Sequence, residues 1–128
     1  PVTRRTVAWG DGFMAPDGMA PDAITALIAQ INDAWAAAGR SGKPRYVHGG
    51  YFALGPNAEA QADEYTQVNY GFKPELAARM RKGIVTSPES LRDMLKRRED
   101  AGIDEYVFRP CTEQIESVAQ LAEVVAGL

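Results

Sequence analysis

Sulfur and imidazole are nearly absent from this sequence. Its 128 residues hold one cysteine, Cys111, and one histidine, His48. A lone thiol excludes an internal disulfide framework and fits a reducing compartment. No second Cys or His stands at ligand spacing from Cys111, so no metal site is expected. A single histidine gives no credible Ser-His-Asp ordering. Neither G-x-G-x-x-G nor a P-loop occurs. No apolar run approaches the roughly 20 residues that cross a bilayer, so no membrane partner is expected, and no signal peptide is visible. Fourteen basic residues against 17 acidic ones leave a formal net charge of −3. That balance lacks the basic face of a nucleic-acid binder. The clusters Arg79-Met80-Arg81-Lys82 and Lys96-Arg97-Arg98 fall in helix-like segments with Glu and Asp, and read as solvated helix surface. What remains is a cytoplasmic protein of one domain, 45% hydrophobic and 24% charged, an ordinary globular balance.

The order of elements is more informative. Residues 3 to 9 read as the last turns of a helix closed by Gly10. Phe13-Met14-Ala15 is a short apolar strand stopped by Pro16-Asp17-Gly18. A helix opens at Pro21-Asp22, where proline and an acid suit the first turn. Ile24, Leu27, Ile28, Ile31 and Trp35 give it one apolar stripe. Arg45 to Leu54 is the longest strand, with Gly49-Gly50 in its middle. Adjacent strand glycines mark a bulge or a close approach by a ligand or a neighbouring backbone. A two-part helical insertion follows. Asn57 is placed as N-cap of its first helix, with Ala58, Ala62 and Tyr65 on one side; Lys73-Pro74-Glu75 opens the second. Ile84-Val85 is briefly extended. Thr86 and Glu89 have capping-box spacing at the next helix, whose Leu91, Met94 and Leu95 face inward. Tyr106-Val107-Phe108 is expected as a buried strand. A last helix from about Glu113 carries Ile115, Val118, Leu121, Ala122 and Val125 on one stripe.

Strands alternating with helices imply parallel pairing and right-handed crossovers. Three strands fall short of a (β/α)8 barrel, which takes about 250 residues. The expected fold is therefore α/β: the C-terminal portion of a (β/α)8 TIM barrel, three parallel strands with covering helices. One partial-barrel domain spans 1–128, made of a helix end at 3–9, a βα unit at 11–39, a βα unit with helical insertion at 45–102 and a βα unit at 104–128.

The passage Thr3-Arg4-Arg5-Thr6-Val7-Ala8-Trp9-Gly10-Asp11-Gly12-Phe13 resembles the helix and G-D-G-aromatic segment of bacterial-luciferase-like, flavin-dependent oxidoreductases. Tyr51-Phe52-Ala53-Leu54-Gly55, followed by an acidic, Ala-rich helix, is similar to their seventh strand and its crossover. Thr86-Ser87-Pro88-Glu89-Ser90-Leu91, then Ala101-Gly102-Ile103-Asp104-Glu105-Tyr106-Val107-Phe108 and a final amphipathic helix, resembles their C-terminal signature. The order and spacing agree over essentially the whole chain. The resemblance implies strands six, seven and eight of the barrel. It also implies FMN or the deazaflavin F420 as cofactor, and monooxygenation or hydride transfer on a small organic substrate. Strands one to five, which would carry much of the flavin site, have no counterpart here.

In such barrels the active site lies at the C-terminal ends of the strands. The resemblance makes Met14 and Ala15 candidate contacts of the flavin ring; packing of the barrel core is the alternative, Met being a common gap filler. Asp17 is a candidate substrate contact or a plain turn residue. Gly49-Gly50 serves either a ligand or close strand packing. Arg109 is placed to hold a phosphate or carboxylate in bidentate fashion, or to pair with a loop acid. His48 reads as structural, low on its strand and away from the rim. The rival to an enzyme is a non-catalytic half-barrel. Unpaired strand edges invite association with another chain, so self-association or pairing with a missing N-terminal part is expected. A third option is another barrel enzyme whose phosphate site uses the loops after strands seven and eight.

Overall fold

The computed structural model describes residues 2–127. Six helices and three strands follow one another as α1 (Val2–Trp9), β1 (Gly12–Met14), α2 (Pro21–Ala37), β2 (Arg45–Phe52), α3 (Ala58–Tyr70), α4 (Pro74–Lys82), α5 (Pro88–Asp100), β3 (Glu105–Pro110) and α6 (Glu116–Ala126). The strands form one sheet in the order β1-β2-β3. β1 runs parallel to β2, with Gly12, Phe13 and Met14 opposite Arg45, Tyr46 and Val47. Asp104 N–H donates to the Tyr46 carbonyl and Cys111 N–H to the Phe52 carbonyl, both at 2.9 Å. Both sequences ascend together, so β3 is parallel to β2 as well.

The described chain divides into two compact units, one holding residues up to Gly49 together with Arg97–Val107, the other Gly50–Lys96 together with Phe108 onward. In the first unit, Phe13 and Ala15 of β1 and its exit pack with Ile24 and Ile28 of α2 and with Ala101 and Ile103. The α2 stripe is buried as its periodicity predicts, at Ile24, Ile31 and Trp35. Gly12 is required by the sheet: a Cβ there would lie 2.0 Å from the Arg45 carbonyl oxygen. Arg40 closes α1. Its Nη1 donates to the carbonyls of Val7 (2.9 Å) and Gly10 (2.6 Å), groups that the helix end leaves unpaired. Its guanidinium lies 3.6 Å from the centre of the Trp35 ring.

In the second unit, Phe52 and Leu54 pack with Leu91 of α5 and Val124 of α6, joined by Val85, Leu95, Phe108 and Leu121. Ala53, Ala58, Ala62 and Ile84 form a second cluster with Tyr51, Tyr65 and Cys111. The extended piece at Ile84-Val85 is a parallel bridge from Val85 to Phe52.

Four local expectations are corrected. Asn57 stands at the N-cap of α3, but its side chain makes no cap hydrogen bond. The α5 cap is one residue later than the Thr86–Glu89 spacing suggests. Ser87 and Ser90 exchange it: Ser90 N–H donates to Ser87 Oγ and Ser87 N–H to Ser90 Oγ, each at 3.2 Å. Pro88 then occupies the first helical position, where no N–H is needed. Thr86 instead bonds the Glu59 carboxylate, the largest cause holding that acid below its usual range, ahead of Arg81. β3 is only half covered: Tyr106 meets His48 edge to face and Phe108 meets Phe52, whereas Val107, on the alternate face, is 37% exposed. α6 begins at Glu116 and is rotated from the expected stripe, of which Leu121 packs on the core. Ser117 and Val124 are buried, while Ile115 is 75%, Val118 49% and Val125 40% exposed.

Candidate functional site

In parallel α/β structures, strand C-termini gather the side chains that do chemistry, because the βα loops begin there. The three strand ends are here distributed between the units. Met14, Ala15 and Asp17 belong to the first, Arg109 to the second.

At the end of β1, strand alternation turns Phe13 and Ala15 toward α2 and Met14 the other way. Ala15 is buried in the core cluster, and its N–H donates to the Val47 carbonyl at 2.8 Å. Met14 is 52% exposed. Asp17 lies in an exposed turn with Gly18 at φ +73°. This turn is anchored from two sides. Arg98 Nη1 donates to the Met19 carbonyl at 3.1 Å. His48 is buried, with its Nε2 3.1 Å from the Pro16 carbonyl oxygen. A carbonyl can only accept, so Nε2 carries the proton in this contact. The sequence places His48 away from the strand ends; its side chain in fact reaches the loop that leaves β1.

At the end of β3, the Arg109 guanidinium lies 4.5 Å from the centre of the Tyr51 ring. Tyr51 Oη is 3.2 Å from Tyr70 Oη, and the Tyr51 and Tyr65 rings are 4.8 Å apart. Burial first, and the Tyr51 hydroxyl second, hold the Tyr65 hydroxyl well above the usual phenol range. Burial likewise pushes the Cys111 thiol up to about 11, only partly offset by Arg81. Such a thiol is protonated at neutral pH and is a poor nucleophile. Among the described residues no group of His, Cys, Asp and Glu could hold a metal ion, and no helix is long and apolar enough to cross a membrane.

The ends of β2 and β3 also border a cavity of about 130 Å³, lined by Leu54, Pro56, Asn57, Gln61, Thr112, Gln114, Glu116, Ser117 and Gln120. Its construction is specific. Gly55 has φ +92°, a backbone conformation that favours glycine, and the Gln120 amide lies over it, its Nε2 2.8 Å from where a Cβ would stand. Ser117 Oγ donates to the Gln114 carbonyl at 2.8 Å, and Gln114 N–H to Thr112 Oγ1 at 3.3 Å. Of these polar residues the sequence singled out only Asn57, and that as a helix cap. The available signal was Gly55-Pro56-Asn57 at a strand exit, together with Gln and Ser in the approach to the last helix.

No family model matches the sequence, and no curated protein matches it significantly. Solved structures do. One is an F420-dependent secondary alcohol dehydrogenase in complex with an F420-acetone adduct. The match covers 97% of this chain and 44% of that one, with a TM-score of 0.74 and 15% sequence identity. At that identity the likeness establishes fold: three parallel strands with six helices, matching part of a TIM-barrel-like fold. It agrees with the luciferase-like resemblance at that level. The chain spans less than half the length of the enzyme it matches.

Proposed function

We propose that this chain is part of a flavin- or deazaflavin-dependent oxidoreductase of the luciferase-like type, which transfers hydride to or from a small organic substrate. The observation that carries this reading is the fold likeness, over 97% of the chain, to an enzyme that holds an F420 adduct. It joins the ordered motifs from Thr3 to Phe108. F420 is favoured over FMN on the same ground. The bound cofactor would supply the hydride chemistry, leaving orientation and electrostatics to the protein.

The residues at the end of β1 fit a planar ring in one respect. Met14 offers a half-exposed, polarizable side chain on the face away from α2, of the kind that moulds to an aromatic surface. Ala15 contributes less, because its methyl is in the core and its N–H is given to Val47. Asp17, in its exposed turn, is the substrate contact in this reading, and Arg109 the contact for a phosphate or carboxylate. The proposal is tested by titrating F420 and FMN into the full-length protein that carries this sequence, followed by cofactor fluorescence. Saturable binding of one cofactor below millimolar concentration is expected; binding of neither would overturn the reading. Met14→Ala should then weaken that cofactor about tenfold, the loss of one well-buried apolar contact.

A second reading has its own observation. Ile115, Val118 and Val125 leave an apolar stripe of α6 open, and large exposed apolar stripes mark association surfaces. Here the chain is an interaction unit that pairs with another chain. Light scattering of the 128-residue chain decides: a clean monomer at high micromolar concentration would count against it.

A further inference from the structure

We propose that the cavity between the exit of β2 and the first turn of α6 is a binding subsite for a small neutral polyol, about the size of a three- or four-carbon sugar alcohol. This stands apart from the cofactor reading, and either can fail without the other.

The lining decides the ligand class. Four carboxamides (Asn57, Gln61, Gln114 and Gln120) and two hydroxyls (Thr112 and Ser117) contribute to the wall, with Leu54 and Pro56 as its apolar part. No lysine or arginine lines it, and its one charge is the Glu116 carboxylate. An anion would meet that negative charge at the helix end with no basic side chain to hold it. One carboxylate brings little negative charge to a hard cation, whose sites are built mainly on carboxylates. Amides and hydroxyls each donate and accept, which is the complement of a vicinal hydroxyl chain.

Two further observations show that the site is built. Ser117 is buried and gives its proton to Gln114, so its lone pairs are left to accept. Gln61 Oε1 is buried with no hydrogen-bond partner among the described residues. A buried amide oxygen left without a donor is costly, about 1–3 kcal/mol. Gln61 is itself among the residues lining the cavity, and its terminal torsion is soft, so its amide can turn to meet a ligand hydroxyl there. Size completes the argument. A volume of about 130 Å³ equals roughly four waters at about 30 Å³ each. It falls below the ~300 Å³ of a whole ligand pocket, so it takes a short chain and excludes a disaccharide.

The test is a titration of the 128-residue chain with erythritol, read by amide NMR including the Gln side-chain signals. The expected result is a saturable millimolar shift confined to Asn57, Gln61, Thr112 and Gln114 to Gln120, with none from sucrose at equal concentration. Gln61→Leu should remain folded, because it removes an unpaired amide, and should weaken erythritol at least fivefold. Ser117→Ala should act in the same direction. Four outcomes overturn the proposal: no saturable shift, which would mean a solvent-filled cavity; the same shifts from sucrose; tighter binding of inorganic phosphate or potassium at these residues; or unchanged affinity in a folded Gln61→Leu.

Discussion

Asp104 shows how one side chain ties a loop to a strand. Its Oδ1 accepts from Lys43 Nζ at 2.8 Å and its Oδ2 from the Tyr46 N–H at 2.9 Å. Lys43 first, then that backbone donor, hold its carboxyl below the usual carboxylate range. A depressed carboxylate pKa stabilises the fold at pH values above the unfolded value, about 3.9. The contribution is lost as pH falls through the lower folded value. Asp104→Asn should therefore flatten the acid limb of a stability–pH curve below about pH 4, with little change in that slope near neutrality. An unaltered acid limb would show that the pair contributes nothing. Gly12 makes a sharper case. With 2.0 Å between a built Cβ and the Arg45 carbonyl oxygen, Gly12→Ala must push β1 away from β2. A loss of about 3 kcal/mol, the upper range for overpacking, is expected in urea unfolding. Neither effect is visible in the sequence, where Gly12 figures only in the G-D-G-aromatic passage and Asp104 only in the C-terminal signature.

At the level of elements, the caps are the most testable features. Ser87→Ala removes the acceptor for Ser90 N–H and should cost about 1 kcal/mol. Thr86→Ala, which touches Glu59 instead of the helix end, should cost clearly less. Equal losses would restore the Thr86–Glu89 box. Arg40 serves α1 as a C-terminal cap delivered from the loop after α2. Arg40→Met strips the donors from Val7 and Gly10 and also takes the guanidinium off the Trp35 ring. A loss of about 1–2 kcal/mol is expected, with faster hydrogen exchange in α1 as its local mark. Helix positions and types were legible here: proline and acid at Pro21-Asp22, Pro74-Glu75 and Pro88-Glu89 gave the starts of α2, α4 and α5. The facing of α6 was not. Its sequence offers apolar residues on more than one side, and Val124 and Leu121, not Val118 and Val125, meet the Phe52–Leu91 cluster.

For the molecule as a whole, composition set the limits of function. A net charge of −3, one thiol and one imidazole are the composition on which the expectations about partners and chemistry rest, and one thiol allows no disulfide within these residues. The likeness to the dehydrogenase covers 44% of that protein, so its cofactor chemistry comes to this chain only as a proposal. If the open stripe of α6 is an association surface, Val118→Lys should shift the chain toward monomer in sedimentation while leaving its thermal midpoint nearly unchanged. A variant that still associates would place the contact elsewhere.

The alternation of strand and helix and the parallel pairing it demands were determined by the chain alone. They depend on local spacing, on connection lengths and on which residue types are present. Three things waited for tertiary structure: the reach of His48 to the Pro16 carbonyl, the side of α6 that turns inward, and the closing of Gln61, Ser117 and Gln120 around one small cavity. Each depends on residues far apart in sequence meeting at a set distance, and no local pattern encodes that distance.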